Sequence, residues 1–356
     1  MLFESFNGKQ YSDNPRAISE ALHLLDPSFE IVWAFHDVQL GKSLVPGYVR
    51  VVKRNTPSFY KEIATSFSYI RNTQFDRRIV KRKGEQIFIQ PWHGDRAFKK
   101  ILFQSNPKRK DVCDFKVVDY CVAGSDFGRQ LFIEAFRFKG KILSYGCPRN
   151  DALLSLNIRE EKRGYIKRKY GIANDVRILL YAPTFRDNKT DEQSTTLDIE
   201  RVLSQLEQNT LSKWVCFLRA HSNVTNGLNV EQSNRIIDVS RESDAADLLC
   251  AIDYLITDYS SIATDFMLLK KPIILATFDA EEYEKNSREF AVRPNAIGLF
   301  TANTNDEVLS IISSATNSEY EERCQIALDY YGTKETGVAS KKVASLIRDK
   351  YLRNNS

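Results

Sequence analysis

Two histidines and a serine pair are the residues of this chain best suited to chemistry. His93 follows the apolar run Ile87-Phe88-Ile89-Gln90-Pro91-Trp92 and precedes Gly94, Asp95 and Arg96, with Lys99 and Lys100 just beyond. An imidazole in a loop leaving a strand titrates near neutrality, so it can take a proton from an attacking hydroxyl. Arg219-Ala220-His221 follows the apolar run Trp214 to Leu218, and a guanidinium beside a second imidazole suits the stabilisation of phosphate charge. A lone histidine more often satisfies a hydrogen bond than does chemistry, but only four are present and two of them stand at strand ends beside basic residues.

Serine supplies the third signal. The stretch Tyr254-Leu255-Ile256-Thr257-Asp258-Tyr259-Ser260-Ser261 passes from a buried strand through a tight polar turn directly into a helix. Free backbone N–H groups, the hydroxyls of Ser260 and Ser261 and the positive end of the helix dipole would converge there on a phosphate. The same geometry serves equally well if Ser260 is simply the helix cap. A further loop, Tyr181-Ala182-Pro183-Thr184-Phe185-Arg186-Asp187, places Thr184 and Arg186 within reach of a donor phosphate or nucleotide, although Pro183 and Asp187 are also ordinary turn residues.

The elements that must hold these loops are short apolar runs alternating with longer helical patterns, the mark of parallel sheets crossed by helices. Strands are expected over Phe29 to Phe35, Gln86 to Gln90, Tyr120 to Ala123, Ile142 to Tyr145, Arg177 to Tyr181, Trp214 to Leu218, Ile236 to Val239, Tyr254 to Thr257 and Pro272 to Ala276. Nine strands fit two sheets better than one. The reading is therefore an α/β protein of two doubly wound, Rossmann-like domains, residues 1–155 and 156–336, with a terminal helix at 337–356 packing back on the first. Two such domains face each other across a cleft at the C-terminal ends of their strands, where ligands bind in open α/β sheets.

Composition narrows the function classes. The chain has 356 residues, 42% of them hydrophobic, enough for two full cores. No apolar run reaches 18 residues and the N-terminus carries no secretory pattern, so a cytoplasmic protein is expected. Six widely spaced cysteines form no CxxC pair, which predicts free thiols and no metal site. There is no Walker A loop, no GxGxxG after the first strand, no HExxH and no kinase catalytic loop. The net charge of +5 is clustered: Arg77 to Lys83, Lys99 to Lys110, and Arg159 to Lys169 each gather basic residues. Such groups are often solvated faces, and the first two also suit anionic headgroups or a phosphate-rich polymer. No helix-turn-helix, zinc-finger or aromatic-basic signature points to nucleic acid.

Taken in order, Phe3-Glu4-Ser5-Phe6 with Ser12-Asp13-Asn14-Pro15, Gln90-Pro91-Trp92-His93-Gly94, Gly146-Cys147-Pro148-Arg149-Asn150-Asp151, Tyr181 to Arg186, and Ile256 to Ser261 resemble the CDP-glycerol glycerophosphotransferases, the teichoic-acid primases and polymerases of bacteria. The resemblance spans nearly the whole chain. It implies a GT-B architecture with the nucleotide held mainly by the second domain, and no cofactor or essential metal, CDP-glycerol being a substrate. It also implies that His93 deprotonates the acceptor hydroxyl, and that His221 binds the donor pyrophosphate with Ser260 and Ser261; Thr184, Arg186, Arg219 and Asp258 stand beside them as candidates for holding the donor or its phosphates. The acceptor would be a phosphate-containing polymer or a lipid-linked chain of teichoic acid or capsule, met at the inner leaflet. Two departures stand out. Gly94 is followed by Asp95, Arg96, Ala97 and Phe98 before Lys99, where the family usually has Gly-Thr-Pro-Leu-Lys-Lys; Asp95, Arg96 and Lys99 thereby become candidates for the acceptor side. Ser222 follows His221 where proline is common. CDP-ribitol therefore stays open as the donor.

Two other readings compete. A nucleotide-sugar glycosyltransferase or epimerase of the same architecture predicts carboxylates for sugar hydroxyls, for which Asp279, Glu281 and Glu282 are available. A non-catalytic polymer- or membrane-binding protein predicts decay of the motifs, which are instead intact. The segment holding Phe59, Tyr60, Ile63, Phe67, Tyr69 and Ile70, near the first basic group, is read either as a membrane-surface stretch or as a core helix.

Overall fold

Among the described residues every strand is parallel to its neighbours, and the central strands, with helices on both faces, read as continuous apolar runs. The computed structural model describes residues 1–184, 197–219, 234–286 and 289–355. The first sheet comprises β1 (Leu2–Glu4), β2 (Ile31–Phe35), β3 (Val49–Lys53), β4 (Ser68–Arg71), β5 (Ile87–Gln90), β6 (Tyr120–Val122) and β7 (Lys141–Leu143), in the order β3-β2-β1-β4-β5-β6-β7. The second comprises β8 (Arg177–Ala182), β9 (Trp214–Leu218), β10 (Ile236–Asp238), β11 (Tyr254–Thr257), β12 (Ile273–Ala276) and β13 (Phe300–Ala302), in the order β10-β9-β8-β11-β12-β13. Both orders reverse direction beside their first strand. In the first sheet the switch lies between β1 and β4, with Glu4 opposite Arg71; in the second it lies between β8 and β11, with Thr257 opposite Ala182.

The nine expected strands all form, their ends within two residues of expectation, and four more join them. β1 and β13 are only three residues long, and β3 carries exposed charges at Arg50 and Lys53 because it is a sheet edge. β4 corrects a larger misreading. The helix Pro57–Thr65 turns Phe59 and Ile63 inward, and Tyr69 and Ile70 are fully buried in the centre of the first sheet. Of the two readings of this aromatic stretch, core describes Phe59, Ile63, Tyr69 and Ile70, while Tyr60 alone of the six is exposed. Among the described residues no helix is long and apolar enough to cross one.

Two helices, one mid-chain and one C-terminal, are tied to the sheets by long-range contacts. The helix Leu156–Lys169 is bound to the second sheet by its own basic residues: Arg163 pairs with Asp253 at 2.9 Å and Lys162 with Asp247 at 3.1 Å. Lys167 is buried and donates to the carbonyls of Ala173, Asn174 and Val176. The third basic group is therefore structural. The helix Ala339–Asn355 buries Val343, Ala344 and Ile347 against Ile18 and Leu22 of the helix Asp13–Leu25, in one core cluster with Phe3 of β1. Its first N–H groups, at Ala339 and Ser340, donate to the Asp151 carboxylate at 2.9 and 2.8 Å, a cap supplied from across the molecule.

Candidate active site

The loops that leave β1, β4 and β5 face those that leave β8, β9 and β11, and His93 stands where they meet. It borders two cavities. One, of about 270 Å³, is lined by Trp92, Lys99, Thr184 and Tyr259; the other, of about 310 Å³, by Asp13, Arg149, Arg219 and Asp244. Ser260 and Ser261 line both, so the imidazole and the serine pair are held on opposite walls of one cleft.

The His93 ring is fixed from several sides. Trp92, in the left-handed region at φ 49°, turns the chain so that its indole lies 4.1 Å from the imidazole, and Phe6 packs on the ring at 5.3 Å. Nδ1 lies 2.5 Å from the carbonyl oxygen of Asn72, the residue that follows β4. A carbonyl can only accept, so Nδ1 carries the hydrogen and Nε2 keeps its lone pair, the tautomer a general base needs. Burial holds the imidazole below its ordinary pKa, and Arg149 pushes the same way, while the Asn72 carbonyl and Asp13 oppose them. The ring is thus neutral and ready to accept a proton near pH 7.

Behind the histidine lies a buried network of charge that joins the two sheets. Asp265, in the short helix after β11, accepts from Arg149 at 2.9 Å, from Arg96 at 3.1 Å and from Asn150 at 3.0 Å. Arg96 also pairs with Glu335 at 2.9 Å, and Glu335 accepts from Asn150. Burial alone would raise the Asp265 carboxyl, but Arg149 and Arg96 outweigh it and hold the group below the usual aspartate range. Asn14 adds an uncharged strut, donating to the carbonyls of Pro91 and Trp92 and accepting from the Arg149 N–H.

This network corrects one expectation. Asp95 and Arg96, placed on the acceptor side by sequence, do not face the cleft. Asp95 is buried against the N–H of Gly124 and the hydroxyl of Ser125, at 2.7 and 2.6 Å, and the Arg96 side chain has no exposed surface. The two hold the His93 loop to its surroundings. Lys99 does reach the cleft, its ammonium 5.2 Å from the centre of the Tyr283 ring.

On the opposite wall, Asp258 is a strut between loops. Its carboxylate accepts from the Thr184 N–H at 2.9 Å and hydroxyl at 2.5 Å, and from the Tyr259 N–H at 2.6 Å. That bracing holds Thr184 beside Ser260 in the smaller cavity. The helix that follows, Ile262–Phe266, has only five residues, so its dipole is small. Ser261 occupies the cap position but its side chain makes no capping bond, and Ser260 Oγ accepts only a long 3.4 Å contact from the Ile262 N–H. Capping thus accounts poorly for the two serines, and both keep hydroxyl capacity toward the cleft. Arg219 Nη1 donates to the Glu242 carbonyl at 2.7 Å, which holds the guanidinium along the larger cavity. Arg186 and His221 lie outside the described residues. Asp279, considered above for a sugar, accepts instead from the Tyr259 hydroxyl at 2.9 Å. Among the described residues no cluster of three or more His, Cys, Asp or Glu is arranged to hold a metal ion.

Sequence reasoning gave no role to Asp13, Asn72, Arg149, Asp265 or Glu335. Arg149 and Asp13 sit in motifs that carried the resemblance, whereas Asn72 acts through its backbone carbonyl, which leaves no trace in residue type.

Comparison with known proteins agrees with this arrangement. The teichoic acid poly(glycerol phosphate) polymerase of Bacillus spizizenii is 30% identical over 96% of this chain and 90% of its own. That of Staphylococcus epidermidis is 28% identical over 98% of this chain, which spans about half the length of that relative. The wall teichoic acid polymerase TagF, in a form soaked with CDPG, superposes with a TM-score of 0.86 at 26% identity, covering 100% of this chain and 90% of that one. A UDP-GlcNAc 2-epimerase of Methanocaldococcus jannaschii, at 12% identity and a TM-score of 0.56, shares the fold alone. A family model, CDP-Glycerol:Poly(glycerophosphate) glycerophosphotransferase, matches residues 1–349, and the chain belongs to that family.

Proposed function

We propose that this protein transfers glycerol phosphate, or a related polyol phosphate, from a CDP-activated donor to a hydroxyl of a phosphate-containing or lipid-linked acceptor, releasing CMP. The observation that carries the reading is the His93 ring: its Nδ1 is committed to the Asn72 carbonyl, and it stands across a cleft from two serines able to hold phosphate oxygens. Residues 1–155 serve the acceptor and residues 156–336 the donor. The acceptor hydroxyl gives its proton to Nε2 of His93 as its oxygen bonds to the β-phosphorus. The bridging P–O bond breaks, and its electron pair leaves with CMP. Phosphoryl transfer asks mainly for positioning and charge stabilisation, and Ser260, Ser261, Thr184 and Arg219 supply these together with Arg186 and His221. Lys99 attracts the anionic acceptor. The product is a teichoic acid or capsule-type chain built at the cytoplasmic face of the membrane.

The test is nucleotide release by purified protein given CDP-glycerol, CDP-ribitol, UDP-glucose or GDP-mannose, with and without a lipid-linked acceptor. CMP release from one CDP-polyol is the expected result and names the donor. Release of UDP or GDP alone would reassign the protein to the nucleotide-sugar enzymes.

A further inference from the structure

The switch point of the first sheet opens into a third recess, of about 460 Å³, that the transfer chemistry does not use. It is lined by arginines at strand ends: Arg54 follows β3, Arg71 ends β4, and Arg77 lies in the loop beyond. Trp92 forms one wall and also lines the smaller of the two His93 cavities, so the recess adjoins the reaction site.

Arg54 and Arg71 both reach the buried Glu4 carboxylate, each at 3.1 Å. Arg71 is itself buried and spends its other donors on Asn7, Thr73 and the Tyr69 hydroxyl, so the guanidinium surface left to the recess belongs to Arg54 and Arg77. Arg77 donates only to a backbone oxygen, the Lys110 carbonyl at 3.3 Å. The two acids on the rim are already matched. Asp76 is chelated by Arg78, and Asp111 by Arg109, and these bonds hold both carboxyls down at about 2. Gln74, which also lines the recess, has a side-chain N–H group that is buried and has no hydrogen-bond partner among the described residues. Such a donor is costly unless an incoming group accepts from it.

We infer that this recess is a binding subsite for a phosphodiester of the acceptor chain, at least one unit behind the hydroxyl that attacks. The inference rests on the transfer reading above and adds where the growing polymer lies. Two guanidiniums, those of Arg54 and Arg77, beside an unsatisfied amide match a discrete phosphate oxygen cluster, whereas a flat lipid surface is met by exposed side chains alone. The enzyme would therefore prefer acceptors that already carry phosphate.

Binding of a synthetic tri(glycerol phosphate), without donor, tests this by calorimetry on wild type, Arg77→Gln and Gln74→Leu. Both residues line the recess, and thermal melting verifies that the variants fold. The expected result is affinity about tenfold weaker in Arg77→Gln, as for loss of one charge-assisted bond. In turnover, KM for the phosphate-bearing acceptor should rise while KM for the CDP-donor stays put. Unchanged oligomer affinity in both variants would overturn the subsite. So would oligomer binding that is absent in wild type while vesicles of phosphatidylglycerol bind and lose affinity in Arg77→Gln, since the recess would then be a lipid contact. Donor-free binding keeps the two readings separable: failure to release CMP counts against the transferase, and failure to bind the oligomer counts against the subsite.

Discussion

The two walls of the cleft are built on the same topology and stiffened in different ways. On the first-sheet side the His93 loop is anchored by buried charge, with Asp95, Arg96, Arg149, Asp265 and Glu335 interlocked beneath it. On the second-sheet side the loops after β8 and β11 are joined to each other through Asp258 and present small hydroxyl residues. The difference matches the demands placed on each wall. A base must be held within a fraction of an ångström of the proton it removes, while a pyrophosphate offers many oxygens and tolerates adjustment.

Replacing His93 by alanine should produce the largest effect if the first wall is the catalytic one. A lost general base costs about 10²- to 10⁴-fold in rate, so kcat for CMP release should fall by that range with little change in donor KM. A variant retaining near-normal kcat would move the chemistry to the other wall. Asp265→Ala strikes the anchor itself. Two buried guanidiniums would lose their shared partner, and a broken buried pair costs about 3–5 kcal/mol, read as a clear fall in melting temperature or denaturant midpoint. Stability within 1 kcal/mol of wild type, on the scale of a surface pair, would show that the network is not what stiffens this wall.

Legibility followed the same division. The strands of both sheets were readable because buried parallel strands are apolar runs, and those missed were very short, on an edge, or next to a helix whose apolar residues merged with theirs, as Ile63 does with Tyr69. His93, Ser260 and Ser261 were readable because reactive residue types stood at strand ends. Arg96 and Asp95 misled because a charge beside a catalytic histidine looks functional in sequence, while only the fold reveals that Asp265 and Glu335, more than a hundred residues away, neutralise Arg96. The support given to His93 by the Asn72 carbonyl could not be read at all, since any residue offers one.

The second wall is sharpened by Asp258→Asn. Asparagine keeps one acceptor oxygen for Thr184 or Tyr259 but loses the charge and the second oxygen, so the loop after β8 should loosen. The loss of a charge-assisted bond, roughly 1.5–3 kcal/mol, predicts a tenfold or greater rise in donor KM with a smaller change in kcat. An effect on kcat matching that of His93→Ala would erase the proposed contrast between a rigid wall and an adjustable one.

The smallest and most specific effect is expected at Asp13. Its backbone lies in the left-handed region at φ 64°, which asparagine also tolerates, so Asp13→Asn removes charge with little strain. Asp13 pulls the His93 pKa upward against burial and Arg149, so without it the imidazole should titrate lower still. The neutral, base-competent form would then persist to more acid pH, and the acid limb of kcat/KM should move to lower pH. In wild type that limb should already lie below about 6.5, the ordinary histidine value. The same linkage has a stability sign. With the folded pKa depressed, the unfolded chain takes up the proton first, so the contribution of His93 is fully present above about 6.5 and is lost as pH falls from there through the lower folded value. A limb that stays in place, or moves upward, would mean that Asp13 does not act on His93 through its charge, and the electrostatic half of the first wall's description would fall while its hydrogen-bonded half remained.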